Sequence, residues 1–260
     1  MKSIQPLLFG LGLILGLVVG LPQDLGATTI LPVDAGRAVD RSELIFVGQA
    51  VAHEVHLTVG DQTPFTFVTF AVDEVLKGRV QGDEITLRFL GGPVDDEVLE
   101  VAGTPKFDEL GRYLLFVAGN GRTFMPLVGW GQGKLDLLPH PVTGEDMVVD
   151  HRGVPVLGLD GGSWSLSHEL RLDADGWFRA AEDDGVEVLW QDGVDVVDEQ
   201  VERLEKASAA VTPAAVVLDH VRSLVEARRP GRDFRSGRLV PSASAHDLPE
   251  TLSFQAVAPR

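Results

Sequence analysis

Four groups of residues in this chain have the types that could do chemistry. His53-Glu54-Val55-His56 sets two imidazoles beside a carboxylate, but a helical zinc pair needs its histidines four apart. The segment alternates as a strand does, and strand positions three apart point to opposite faces, so a metal pair is not expected; a half-buried His53 beside an exposed His56 is. Asp173-Ala174-Asp175-Gly176 has the acid-x-acid-Gly form of a calcium loop, with Glu182-Asp183-Asp184-Gly185 nearby. It lacks the further ligand before the glycine and the bidentate glutamate of an EF-hand, so Asp173 and Asp175 stand as calcium candidates against a reading as solvated turns. Gly161-Gly162-Ser163-Trp164-Ser165-Leu166-Ser167-His168 places hydroxyls near an imidazole. A nucleophile elbow requires Gly-x-Ser-x-Gly between a strand and a helix, and neither flank is present; alternation of Trp164 and Leu166 against serines predicts a hairpin. Trp130, Trp164, Trp177 and Trp190 could form a sugar platform, but nothing pairs them on one strand, and core packing is the expectation. No catalytic residue and no cofactor are assigned.

The compartment is read from the other end of the argument. Lys2 precedes an apolar run from Leu7 to Leu21, followed by Pro22, Asp24 and Gly26-Ala27. The run is shorter than the ~20 residues a spanning helix needs, which predicts a cleaved export signal over 1–27 and a periplasmic or extracellular protein. Membrane contact is expected only if that segment is retained. The 260 residues contain no cysteine, which excludes thiolate metal sites, a thiol nucleophile and a cysteine-linked lipid. A formal net charge of −17 opposes binding to nucleic acid or anionic lipid.

The elements that would position any site are mostly strands. The fully apolar Leu44-Ile45-Phe46-Val47 leads into an alternating segment through Val51, Val55 and Leu57. The next strand carries Phe65 and Phe67, then Phe70 and Val72, all read as inward, so its phase slips near Val68 and predicts a β-bulge. Ile85, Leu87 and Phe89 alternate against Thr86 and Arg88. A glycine- and acid-rich loop spans Gly91 to Gly111, and Tyr113 to Val117 reads as a strand buried on both faces. Gly119-Asn120-Gly121 signals a tight turn, since both residue types tolerate positive φ. Short strands are predicted at Phe124–Val128, Lys134–Leu138, Met147–Val149 and Val154–Leu157. Residues 159–195 read as loops with one more hairpin, and 196–229 as two amphipathic helices, the first marked by Val197, Val201 and Leu204. The second begins with Thr212 as N-cap and Pro213 at its first position. Residues 230–260, rich in Pro, Ser and Arg, read as a disordered tail.

The runs LIFVGQAVA, FTFVTFAVDEVLKG, EITLRFLGG, FDELGRYLLFVAG and GWGQGKLDL resemble secreted bacterial proteins of mostly unknown function, whose first domain is similar to the netrin-like, OB-type barrel of the tissue inhibitors of metalloproteinases. The resemblance covers about residues 40–158 and, more loosely, 212–229. It implies a small closed antiparallel barrel with a C-terminal helical appendage. The animal inhibitors chelate the protease zinc through an N-terminal cysteine, and this chain has none to do so. The functional expectation is an exported, non-enzymatic binding protein recognising an unknown protein or polysaccharide of the cell envelope; the alternative is an envelope hydrolase or a hydrolase or protease inhibitor.

Overall fold

Asp34 caps a short helix, α1 (Ala35–Arg41), by accepting the Arg37 N–H on its carboxylate at 2.7 Å. The chain then enters β1 (Leu44–Thr58), β2 (Pro64–Lys77) and β3 (Glu84–Leu90), followed by a small hairpin of β4 (Gly92–Val94) and β5 (Glu97–Leu99). Next come β6 (Arg112–Val117), β7 (Lys134–Pro139) and β8 (Asp146–Val149). Two further hairpins follow, β9 (Val156–Asp160) with β10 (Ser163–Leu166) and β11 (Leu170–Leu172) with β12 (Phe178–Ala180), then α2 (Ala214–Ala227) and β13 (Phe254–Ala256). The computed structural model describes residues 31–58, 62–94, 97–172, 178–180, 205–228, 239–243 and 254–256. Contacts gather Pro32–Arg260 into one unit, and among the described residues no helix is long and apolar enough to cross a membrane.

The main sheet is antiparallel, in the order β3-β2-β1-β6-β7-β8, with β13 on β1. The mostly β reading and the closing helix hold; the closed barrel does not. The sheet curls only in part, and β3 and β8 never pair. Both end strands spend their outer edges elsewhere. Along β3, Thr86 C=O accepts from Ala243 N–H at 2.7 Å and Thr86 N–H donates to Ser242 Oγ at 3.1 Å. On β8, Met147 bridges to Pro213 and Val149 to Pro155. Edges covered this way have no ladder left with which to close.

Burial on both faces explains the apolar run at the start of β1. Ile45 and Val47 join Leu114, Phe116 and Leu137 beneath α2, whose Val217, Val221 and Val225 are its buried stripe. Leu44 and Phe46 face the other way, into a second core with Phe70, Leu87, Phe89 and Leu115. We call these the helix face and the loop face. Thr212 is not the cap of α2: its hydroxyl donates to Leu157 C=O at 2.6 Å, and Pro213 precedes the helix without a side-chain cap. Arg222, near the helix end, grips Glu74 of β2 with two bonds of 2.9 and 2.7 Å.

Three expectations along the strands are corrected. The pairing of β2 with β3 runs without a shift through Val68, so no bulge lies there. Phe65 and Phe67 instead face away from Val68 and Phe70 and are buried with Ala243. Within the main sheet the register shifts fall in the β1–β2 pairing, and the one at Ala50/Ala52 leaves Val51 of β1 unopposed and 41% exposed. Phe124–Val128 forms no strand beyond a single bridge of Leu127 to Val117. Part of the stretch read as a disordered tail is held: Leu239 and Val240 bond to Arg79, Ser242 and Ala243 to Thr86 of β3, and β13 pairs with His56–Thr58. The first predicted helix, over Val197 to Leu204, falls outside the described residues; residues 205–209 are helical.

That cover changes Arg88. Predicted to point outward, it is 4% exposed, stacked 4.9 Å from the Phe65 ring centroid, with Nη2 donating to Gly121 C=O at 3.0 Å. Its Nε and Nη1 have no partner among the described residues, and burial lowers its pKa.

Candidate binding cleft

After β3 the chain turns back over the loop face. The turn needs glycine at 92, where φ is 142° and an added Cβ would stand 2.6 Å from Thr66 Oγ1 and 3.3 Å from Val55 Cγ1. Thr66 Oγ1 donates to Gly91 C=O at 2.7 Å, and Gly91 N–H donates to Pro64 C=O at 2.9 Å, so the β4–β5 hairpin leaves the sheet at a fixed angle. Its return, residues 100–108, is pinned by one aromatic. Phe107 packs against Phe70, Phe89 and Tyr113 with ring centroids 5.1 to 5.2 Å apart. Asp108 N–H then donates to the Tyr113 hydroxyl at 2.7 Å, and Leu110 N–H to Ala50 C=O at 2.9 Å.

Between this loop and the strands lies a cleft of about 730 Å³. Its floor is Thr66 and Val68 of β2 with Phe89 of β3, His53 of β1 stands at one side, and the loop from Val98 to Asp108 forms the roof. Val98 and Leu99 at the lip are 62% and 43% exposed. Thr104 Oγ1 is buried and bonds to nothing among the described residues, while the Thr104 N–H is satisfied by Val101 C=O at 3.0 Å. Glu100 and Lys106 pair across the exposed rim at 3.2 Å.

Behind Phe107 sits a polar cluster. Lys134 Nζ lies 4.8 Å from the Tyr113 ring centroid and 5.7 Å from that of Phe107, and pairs with Asp136 at 2.7 Å. Burial raises the Asp136 carboxyl despite Lys134, burial lowers the His151 imidazole, and burial pushes the Tyr113 phenol up to about 12. Lys134, Asp136 and Tyr113 are tied to one another, and none of the four groups lines the cleft.

The sequence-predicted residues scatter. His53 and His56 take opposite faces of β1, with the exposures reversed from expectation: His53 is exposed at the cleft, whereas the Phe65–Phe67 cover leaves His56 half-buried, edge-on to Phe67 at 5.1 Å and 3.1 Å from Glu54. Ser163 and Ser165 lie on β10, where Trp164 packs on Phe116 at 5.9 Å as a core residue. His168 is exposed, and the Ser167 hydroxyl accepts from the N–H groups of Glu169 and Leu170. Trp130 is 40% exposed; Trp177, Trp190, the calcium candidates Asp173 and Asp175, and the Glu182–Gly185 run lie outside the described residues. Among the described residues no three His, Asp or Glu gather to hold a metal.

Sequence reading missed two features. One is a buried Ser208–His140 contact of 3.1 Å. His140 Nδ1 accepts from Val142 and Thr143 N–H, so Nε2 carries the proton and donates towards Ser208, which fixes structure and does not activate the hydroxyl. The other is the cleft. Its signal was the length of the Gly91–Gly111 loop, since loops beyond ~12–15 residues inside a compact domain usually carry function, together with Val98, Leu99, Val101 and Phe107 within it. No family model, no curated protein and no solved structure matches the chain.

Proposed function

We propose that the protein is an exported, non-enzymatic binding module whose ligand site is the cleft between β1–β3 and the loop 98–108. The observation that carries this reading is a cleft of about 730 Å³ over Val68 and Phe89, roofed by a loop whose Thr104 hydroxyl is buried and unbonded among the described residues. A polar atom withheld from water costs about 1–3 kcal/mol, a cost that favours any shift of the roof that brings the Thr104 hydroxyl to a ligand. Apolar walls with a few placed polar groups are what ligand sites offer. The export signal, the netrin-like kinship and an envelope partner belong to the same proposal and rest on the residue patterns alone. A hydrolase would need a nucleophile beside a base; the serine–histidine contact at Ser208 and His140 has its proton on the wrong side and does not line the cleft.

The test uses Nile red as an uncharged apolar probe. A saturable, one-to-one fluorescence gain is expected, abolished by Ala102→Trp on the cleft wall without change in melting temperature. Thr104→Val should raise the stability of the unliganded protein by about 1 kcal/mol. Binding unaffected by Ala102→Trp would remove the cleft from consideration.

A further inference from the structure

The edge of β1 that faces away from β2 is filled from both ends and open between them. β6 pairs with it from Leu44 to Gln49, and Ala50 extends the contact by donating to Gly111 C=O and accepting from Leu110 N–H, each at 2.9 Å. At the other end β13 pairs with His56, Leu57 and Thr58. Among the described residues no strand lies along Val51–Val55 on this side. Backbone groups of an antiparallel strand point alternately to its two edges. Thr58 bonds towards the β2 hairpin, donating to Thr63 C=O and accepting from Gln62 N–H. Stepping back from it places the amides of Val55 and His53 on the open side.

Those two residues lie at or next to the cleft. His53 lines it, and Val55 stands against Gly92 at its base. We propose that this edge takes an extended segment of a partner polypeptide as an added strand of about four residues, ~13 Å long, with alternate side chains entering the cleft. The inference rests on the reading of the cleft as a ligand site and names the class of its ligand. The edge already accepts a strand at its adjoining residues, so the added segment continues an existing interface. The net charge of −17 disfavours an acidic segment, and the apolar floor and the lip of Val98 and Leu99 select apolar residues at the inward positions. The partner segment therefore alternates apolar residues with neutral or basic ones. The competing occupant is another part of this chain, since β13 already pairs with the adjoining His56–Thr58.

The probe is the peptide acetyl-Lys-Val-Thr-Val-Thr-Val-Lys-amide, labelled for anisotropy and added to the full chain, beside an analogue N-methylated at alternate residues. One-to-one binding is expected, weakened at least tenfold by N-methylation. Amide exchange at His53 and Val55 should be fast in the free protein and slowed by the peptide. Val55→Pro should keep the melting temperature within a few degrees, because proline is tolerated where the N–H faces outward, and should lose peptide binding. Equal binding of both peptides overturns strand addition, as does slow exchange at His53 and Val55 without peptide, which shows the edge already taken within the chain. Nile red binding without peptide binding refutes strand addition alone; failure of both probes refutes the cleft as well.

Discussion

Tyr113 joins sheet, loop and polar cluster in one side chain: its ring packs on Phe107 and Phe70, its hydroxyl accepts from Asp108 N–H, and Lys134 lies over its face. It is the chain's single tyrosine, so phenolate absorbance at 295 nm reports this group alone. Burial is the main cause of its rise to about 12, with Asp108 and Asp136 adding to it through their charge. The sign follows directly. A folded-state pKa above the unfolded one means that the protonated phenol is favoured in the fold, so its contribution to stability is complete below the ordinary value of about 10 and is lost as pH rises towards 12. Spectrophotometric titration of the native protein should show no phenolate near pH 10, whereas protein in urea should titrate there. Ionisation near 10 with the β-sheet circular dichroism intact would show that the loop does not seal the ring. Asp136 follows the same logic among the acids: its raised carboxyl favours the protonated form, so its share of stability falls as pH climbs past the ordinary value of 3.8.

At the scale of elements, what could be read from sequence divides by whether packing imposes a period. β1, β3, β6, β7 and α2 lie where a buried face repeats every two or every 3.6 residues, and their residues announce them. The same rule misled at Phe65 and Phe67: their burial was legible, but the cover over the opposite face was not, because residues 239–243 attach by edge hydrogen bonds and need no period. Asn120 shows the limit in one residue. Gly119 and Gly121 supply the positive φ of the turn, while Asn120 is 4% exposed and clamps it, donating to Thr86 and Pro241 C=O at 2.9 Å each. The cleft was invisible for the related reason that its roof is a loop, whose path depends on where Phe107 lands. A chain ending at Arg238 tests the cover. It loses Val240, buried to 2% in the loop-face core, the bonds from residues 240–243 to Arg79 and Thr86, and β13 from β1, so a chain ending at Ala243 serves as the control that lacks β13 alone. The expected cost is about 3 kcal/mol from one buried valine and these bonds, with self-association through the bared β3 edge visible in size-exclusion chromatography. A monomer with an unchanged melting temperature would show that the segment covers nothing of consequence.

Over the whole molecule, 39 acidic side chains face 22 basic ones, and two electrostatic effects oppose each other. The excess of negative charge repels itself more strongly in the fold than in the expanded chain, so salt should stabilise. The ion pairs act the other way, because salt weakens them: Arg112 with Asp73 and Asp146, Arg122 with Glu43, Arg222 with Glu74 and Asp219. Magnitude decides between them. Arg112 and Arg122 are 41% and 58% exposed, and exposed pairs of this kind contribute about 0–1 kcal/mol each. The repulsion is summed over the entire surface and reaches ~30 Å at 0.01 M salt but only ~10 Å at 0.1 M. The net effect of raising sodium chloride from about 10 to 150 mM should therefore be a rise in melting temperature of about 3 °C, close to 1 kcal/mol for a domain of this size. A flat or falling curve would mean that the pairs, not the excess, govern the fold's electrostatics. The same field acts on anything that approaches the open edge of β1. Affinity for a lysine-bearing strand should fall over the same salt range in which stability rises, and a strand with glutamate in place of lysine should show the reverse dependence.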